Sequence, residues 1–138
     1  VSARLSIPMQ TRFILLLVIV ALSGLVLSLH IAAYEYYFYW SLWWYDILMH
    51  GLGGVAIGAL VLWVWNFWLR DSTLTPATAL AVAIAGTLGI GIIWEFFEYS
   101  TGSQLYQPFD SYVLDTILDI CMDVAGALVA FLGFGRFT

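Results

Sequence analysis

Three short motifs carry most of the chemistry available to this sequence. Asp46 and His50 stand four residues apart, Glu95 and Glu98 three apart, and Asp115, Asp119 and Asp123 follow at intervals of four. Such spacings place side chains on one face of an α-helix, one turn apart. Carboxylates and histidine projecting from several helices toward a common axis are the usual ingredients of a dinuclear metal site. An oxygen-rich donor set favours Mg, Mn, Fe or Zn, and the shortage of further histidines argues against a closed structural zinc site. Asp46, His50, Glu95, Glu98, Asp119 and Asp123 are therefore the candidate ligands, for two divalent ions. Glu98 and Asp115 are the candidates for catalytic work, with Glu98 the spare carboxylate that takes a proton. Two other readings stay open: acids that share protons without a metal, and a purely structural polar core. His50 alone would more often be a hydrogen-bonded core histidine, and Asp46 one turn before it favours a ligand role. His30, unaccompanied on its own helix, is not counted among the ligands.

The elements that position these groups must lie in lipid. Of 138 residues, 63% are apolar and 9% charged, and the mean hydropathy is +0.97. Soluble domains average about 45–50% apolar and about 25% charged residues, so an ordinary soluble domain is excluded. Nine Asp and Glu stand against four Arg and no Lys, for a net charge of −5. That balance leaves no basic face for nucleic acid. A spanning helix needs about 20 mainly apolar residues, and four stretches qualify, at about 13–33, 45–68, 77–99 and 112–134. Together they predict one transmembrane domain, an all-α up-down four-helix bundle. The first stretch follows Arg4 and Arg12 as a signal peptide would, but its apolar run is too long and His30 spoils the small-residue cleavage pattern, so it reads as a retained helix. Cys121, the single cysteine, can form no intramolecular disulfide and reads as a small buried hydrophobe.

With four spans, Arg4, Arg12, Arg70 and Arg136 all fall on one side, which the positive-inside rule makes cytoplasmic, with both termini there. The three acidic motifs then gather at the extracytoplasmic ends of their helices, and only Asp71 lies inside. Glu98 and Asp115 are close enough to the interface to be hydrated, whereas Asp123 sits about 16 Å along its helix from Tyr112, near the bilayer midplane. An aspartate at that depth costs about 2.5–3.5 kcal/mol on insertion. No Lys or Arg lies on that side, so the counter-charges are protons or metal ions. The aromatic run from Tyr34 to Tyr45 reads as an interfacial belt in the first outer loop, in preference to an aromatic cage for a ligand, with Trp63, Trp65 and Trp68 as its inner counterpart. Gly54 and Gly58, Gly86, Gly89 and Gly91, and Ala125, Gly126 and Ala127 mark faces where helices approach closely. The same Gly-rich faces could pair two copies of the chain.

The order Tyr45-Asp46-x-x-x-His50-x-x-Gly53-Gly54, Trp94-Glu95-x-x-Glu98-Tyr99 and Asp115-Thr116-x-x-Asp119-x-x-x-Asp123-x-x-Gly126-Ala127 resembles the YjdF-like inner-membrane proteins, distantly similar to the VanZ-like family, over residues 45–130. The resemblance implies a small multi-pass protein of the prokaryotic cytoplasmic membrane with its polar residues clustered, and the VanZ-like association with glycopeptide resistance points to the cell envelope. The aspartate stripe is also similar to the metal-diphosphate motifs of membrane prenyltransferases and CDP-alcohol phosphotransferases, where carboxylates one turn apart hold divalent ions. The leading expectation is a metal-dependent hydrolase or phosphotransferase on a lipid or lipid-linked envelope substrate. A divalent-cation or proton transporter using the same acids is the main alternative. A di-iron redox protein and a non-catalytic accessory subunit complete the set.

Overall fold

The computed structural model describes residues 8–69, 75–103 and 111–134, and these contain helices and no strand. Helix α1 runs Met9–Glu35, a short α2 Phe38–Ser41, α3 Tyr45–Val64, α4 Pro76–Thr101 and α5 Tyr112–Phe134. A π-helical turn, Trp65–Leu69, continues α3. Helices α1, α3 with its π turn, α4 and α5 are each long and apolar enough to cross a bilayer. The chain is thus an all-α four-helix membrane bundle, and its second and fourth spans have the bounds expected from hydropathy. The other two, α1 and α4, are longer, and in α4 local signals set the ends. Helix α4 starts where the Thr75 hydroxyl accepts the Thr78 N–H at 3.2 Å, with Pro76 at its first position, and stops at Gly102 in the left-handed region at φ 73°, the usual asymmetry of helix ends.

Helix α3 is the hub, and small residues let α5 lie against it. A Cβ on Gly54 would overlap the backbone of Asp123, and one on Gly126 would overlap the Gly51 carbonyl; Gly58 meets Ala127 and Ala130. Moving along α3 from Gly54 to Gly58 moves along α5 from Asp123 to Ala127, so the two helices run parallel, as alternate spans of an up-down chain must. In lipid such backbone approach supplies the packing that a hydrophobic driving force supplies in water. Helix α4 joins the pair with Gly86 against Val61 and Gly91 against the Asp123 carboxylate.

Helix α1 packs mainly on α3, and only Ile19 and Ala33 of its residues are buried. Two hydrogen bonds tie it to α3: Trp63 Nε1 donates to the Arg12 carbonyl at 3.0 Å, and the Tyr45 hydroxyl donates to the Leu29 carbonyl, also at 3.0 Å. Beside Trp63, the Arg12 guanidinium lies 5.0 Å over the Phe67 ring. The core of this half is apolar apart from Thr87 of α4, which is fully buried. Leu62, Ala79 and Ala83 pack with Phe131 and Phe134, and Ile19, Ala59 and Ala130 form an adjoining cluster.

Two expectations are corrected by the packing. Cys121 is exposed on the outside of α5. The aspartate stripe faces inward, and a residue two positions beyond Asp119 points about 200° away from it. The aromatic run is only partly a belt. Tyr37, at φ 60°, turns the chain in the left-handed region so that α2 folds back over the bundle end. Tyr36, Tyr37 and Trp43 stay exposed, whereas Tyr39 and Tyr45 are buried with Ala33 and Met49. Arg4, Arg70, Arg136 and Asp71, on which the orientation reading drew, lie outside the described residues; Arg12 sits at the end of the bundle away from the acidic motifs.

Candidate metal centre

The start of α3, the end of α4 and the start of α5 meet at one end of the bundle because the chain alternates direction. Their polar stripes converge on the His50 imidazole. Its Nε2 lies 3.8 Å from Glu95 Oε1 and 4.0 Å from both Asp46 Oδ1 and Asp119 Oδ2, and its Nδ1 lies 3.3 Å from Asp123 Oδ1. Asp46, Glu95, Glu98, Asp115, Asp119 and Asp123 are all buried. Glu98 and Asp115 are thus more buried than their nearness to the interface suggests, and Glu98 keeps its access to water through a cavity at the bundle end.

Burial makes the missing partners informative. Asp119 is 0% exposed, and neither of its carboxylate oxygens has a hydrogen-bond partner among the described residues. Asp46 Oδ2, Glu95 Oε1, Asp115 Oδ1 and Asp123 Oδ2 are in the same condition. Buried polar groups are nearly always paired, and leaving one unpaired costs about 1–3 kcal/mol, more when it is charged. Other oxygens of the cluster are satisfied: the Thr116 hydroxyl donates to Glu95 Oε2 at 2.7 Å, and Asp123 Oδ1 is hydrogen-bonded to His50 Nδ1 at 3.3 Å. His50 can supply at most one positive charge to six buried carboxylates. The arrangement calls for added cations, whether protons or metal ions.

The donors fit a divalent ion. Asp46, His50 and Asp119 form one set, and His50, Glu95 and Glu98 another, with the chosen donor atoms of each set within 4.8 Å of one another. Ligand atoms about 2.0–2.2 Å from a tetrahedral ion lie about 3.3–3.6 Å apart, so the separations around Nε2 would close by only a few tenths of an ångström. Both sets use His50. Two ions held together would need carboxylates to make up most of one shell, which suits hard, oxygen-preferring cations. Asp123 lies on the other side of the ring, at Nδ1, and Asp115 belongs to neither set.

Two cavities of about 310 Å³ reach this cluster by different routes. One opens at the bundle end between Tyr34, Phe97 and Gly102 and has Glu98 in its wall. The other opens sideways between α1 and α4, and Asp46, His50 and Asp123 stand in its wall. Tyr39 borders both. Its hydroxyl lies 2.7 Å from His30 Nδ1. Burial first, and the negative field of Asp46 next, push the Tyr39 phenol above its ordinary range, so it remains protonated and can donate to that nitrogen. His30 is thereby occupied with Tyr39, with its ring edge-on to Trp94 at 5.6 Å between centroids, and stands outside both ligand sets.

All six candidate ligands from the sequence are thus brought to one place, and Asp115 is buried on the same stripe. Tyr39 and Thr116 were missed. A tyrosine among many aromatics carries no mark of burial, and a threonine one residue after an aspartate reads as helix surface until its neighbour on α4 is known.

No protein of curated function and no solved structure matches the chain. A family model described as predicted membrane protein, DUF2238, matches over residues 1–138. A multi-pass helical protein with its acids gathered inside the bundle, this chain belongs to that predicted-membrane-protein family, DUF2238.

Proposed function

We propose that the protein is a divalent-metal-dependent hydrolase or phosphotransferase acting on a lipid or lipid-linked phosphate at the extracytoplasmic face of a prokaryotic cytoplasmic membrane. The carrying observation is Asp119, fully buried beside His50 with neither carboxylate oxygen hydrogen-bonded among the described residues. A carboxylate in that position is explained by a cation that belongs there. Asp46, His50 and Asp119, with Glu95 and Glu98 on the facing helix, are the residues that would hold it. A bound divalent ion supplies a Lewis acid toward a phosphoryl oxygen and lowers the pKa of an attacking water.

The chain's own groups divide the remaining work. Glu98 borders the cavity at the bundle end and takes the proton of the incoming water, and Thr116 fixes the orientation of Glu95. Arg12 is the only Lys or Arg among the described residues, and it lies at the other end. No basic side chain among the described residues faces the cluster, so the ion held by these acids would have to meet a substrate's phosphate charge. Arg12 at that far end also supports the orientation, with the acids on the outer side. Hydrolysis is preferred to ion transport because α5 beyond Asp123 is apolar to Phe134, about 16 Å of helix, and packs into closed clusters with α3 and α4.

The test is phosphate release from a lipid phosphate by purified protein in sealed proteoliposomes, with Mg, Mn or Zn restored after chelation. Turnover that needs metal and disappears in Asp119→Asn supports the proposal. Metal-loaded protein that releases no phosphate from monoester or diester lipids would refute it.

A further inference from the structure

The sideways cavity is lined on α1 by Val26 and Leu27, on α3 by Gly53 and Ile57, and on α4 by Ile90 and Trp94, and it ends against Asp46, His50 and Asp123. We propose that this cleft seats a single hydrocarbon chain of the substrate lipid, which enters from the bilayer between α1 and α4 and carries its phosphate to the acidic cluster. The inference rests on the metal-centre reading for the identity of the head group and on geometry alone for the chain.

Interiors are packed with few voids larger than a water molecule, so an apolar cleft of about 310 Å³ in a small bundle needs an occupant. Small residues create it. A Cβ on Gly53 would meet nothing within 4 Å, and α1 leans on α3 while leaving its flank toward α4 unpacked. The cleft holds about ten groups of water or methylene size at about 30 Å³ each, enough for one chain segment. From His50 to Ile57 it follows α3 for about 10 Å, past Asp123 and along the axis of the span. A tail laid there points toward the bilayer centre while its head lies at the cluster.

Bulk lipid tails would wet the walls but bring only methyl groups to the blind end. Asp46 and Asp123 are each 4% exposed, and each keeps an oxygen without a hydrogen-bond partner among the described residues. Only a chain with a polar terminus, joined to those acids through the cation they hold, answers both ends of the cleft. The second cavity, beside Glu98, leaves a separate route for water. Tyr39 stands between the two, so tail and water approach the cluster from different sides.

The experiment is photo-crosslinking in nanodiscs with a dodecyl phosphate that carries a diazirine in mid-chain, followed by peptide mapping, with metal content measured on the same samples. Labelling is expected on the α1 peptide around Leu27 and the α4 peptide around Ile90. It should fall at least tenfold in Gly53→Phe, whose side chain fills the cleft, while metal content stays unchanged. Leu27→Trp narrows the mouth from an exposed position and should reduce labelling likewise, which keeps the test open should Gly53→Phe fold poorly. Labelling elsewhere, or labelling unaffected by both variants in metal-loaded protein, would overturn the chain seat. Equal labelling by a diazirine-bearing dodecane without phosphate would overturn it too, since bulk hydrocarbon would then suffice. Cleft labelling in protein that binds no metal would uphold the seat and refute the metal-centre reading.

Discussion

At the scale of single residues, the decisive feature is the contrast between buried acids that have partners and those that lack them. Glu95 is oriented by Thr116, whereas Asp119 has no hydrogen-bond donor among the described residues. Removing a group that orients a metal ligand commonly costs about 10–100-fold in affinity. Thr116→Val should therefore weaken metal binding by about that factor with the fold preserved, measured by calorimetric titration of chelator-treated protein. Asp119→Ala should abolish binding at the set it shares with Asp46 and His50. Because ligands must shed protons to bind a cation, affinity should fall as pH drops. The proton uptake accompanying metal release can be read in the same titrations by changing the buffer.

At the scale of elements, the stripes were legible and the spaces between helices were not. Spacings of three and four fixed which faces of α3, α4 and α5 carry oxygen, and chain alternation then required those faces to meet at one end. Hydropathy bounded the spans well because length and apolarity are local properties. Three features depend on neighbours. Tyr39 turns inward because Tyr37 adopts a left-handed backbone, which no aromatic composition announces. Cys121 faces out because its helix was already committed to Asp119. The stance of α1 away from α4 follows from its own poor burial. The glycines are equally silent one by one: Gly126 is pressed against α3, while Gly53 faces open space. Overpacking a tight contact costs about 1–3 kcal/mol. Gly126→Ala should destabilise the bundle by about that much and Gly53→Ala should cause no loss, measured by reversible unfolding in mixed micelles.

The whole molecule divides into an acidic end and an apolar end. Nine acids stand against four arginines, and six of those acids are buried in a single cluster. With Leu62, Ala83 and Phe131 closing the other half, liposomes containing the protein should show no divalent-cation flux above protein-free controls in an entrapped-dye assay. A cation bound only to the folded bundle should also stabilise it, by about 2.7 kcal/mol at 100 times its dissociation constant. Metal content reports most directly on this division. After purification in detergent, chelation and reloading with Mg, Mn, Fe or Zn, elemental analysis should find one or two divalent ions per chain, with loss of at least one in Asp119→Ala that remains folded by circular dichroism. Protein that is folded and metal-free after reloading with every one of these ions would contradict the account.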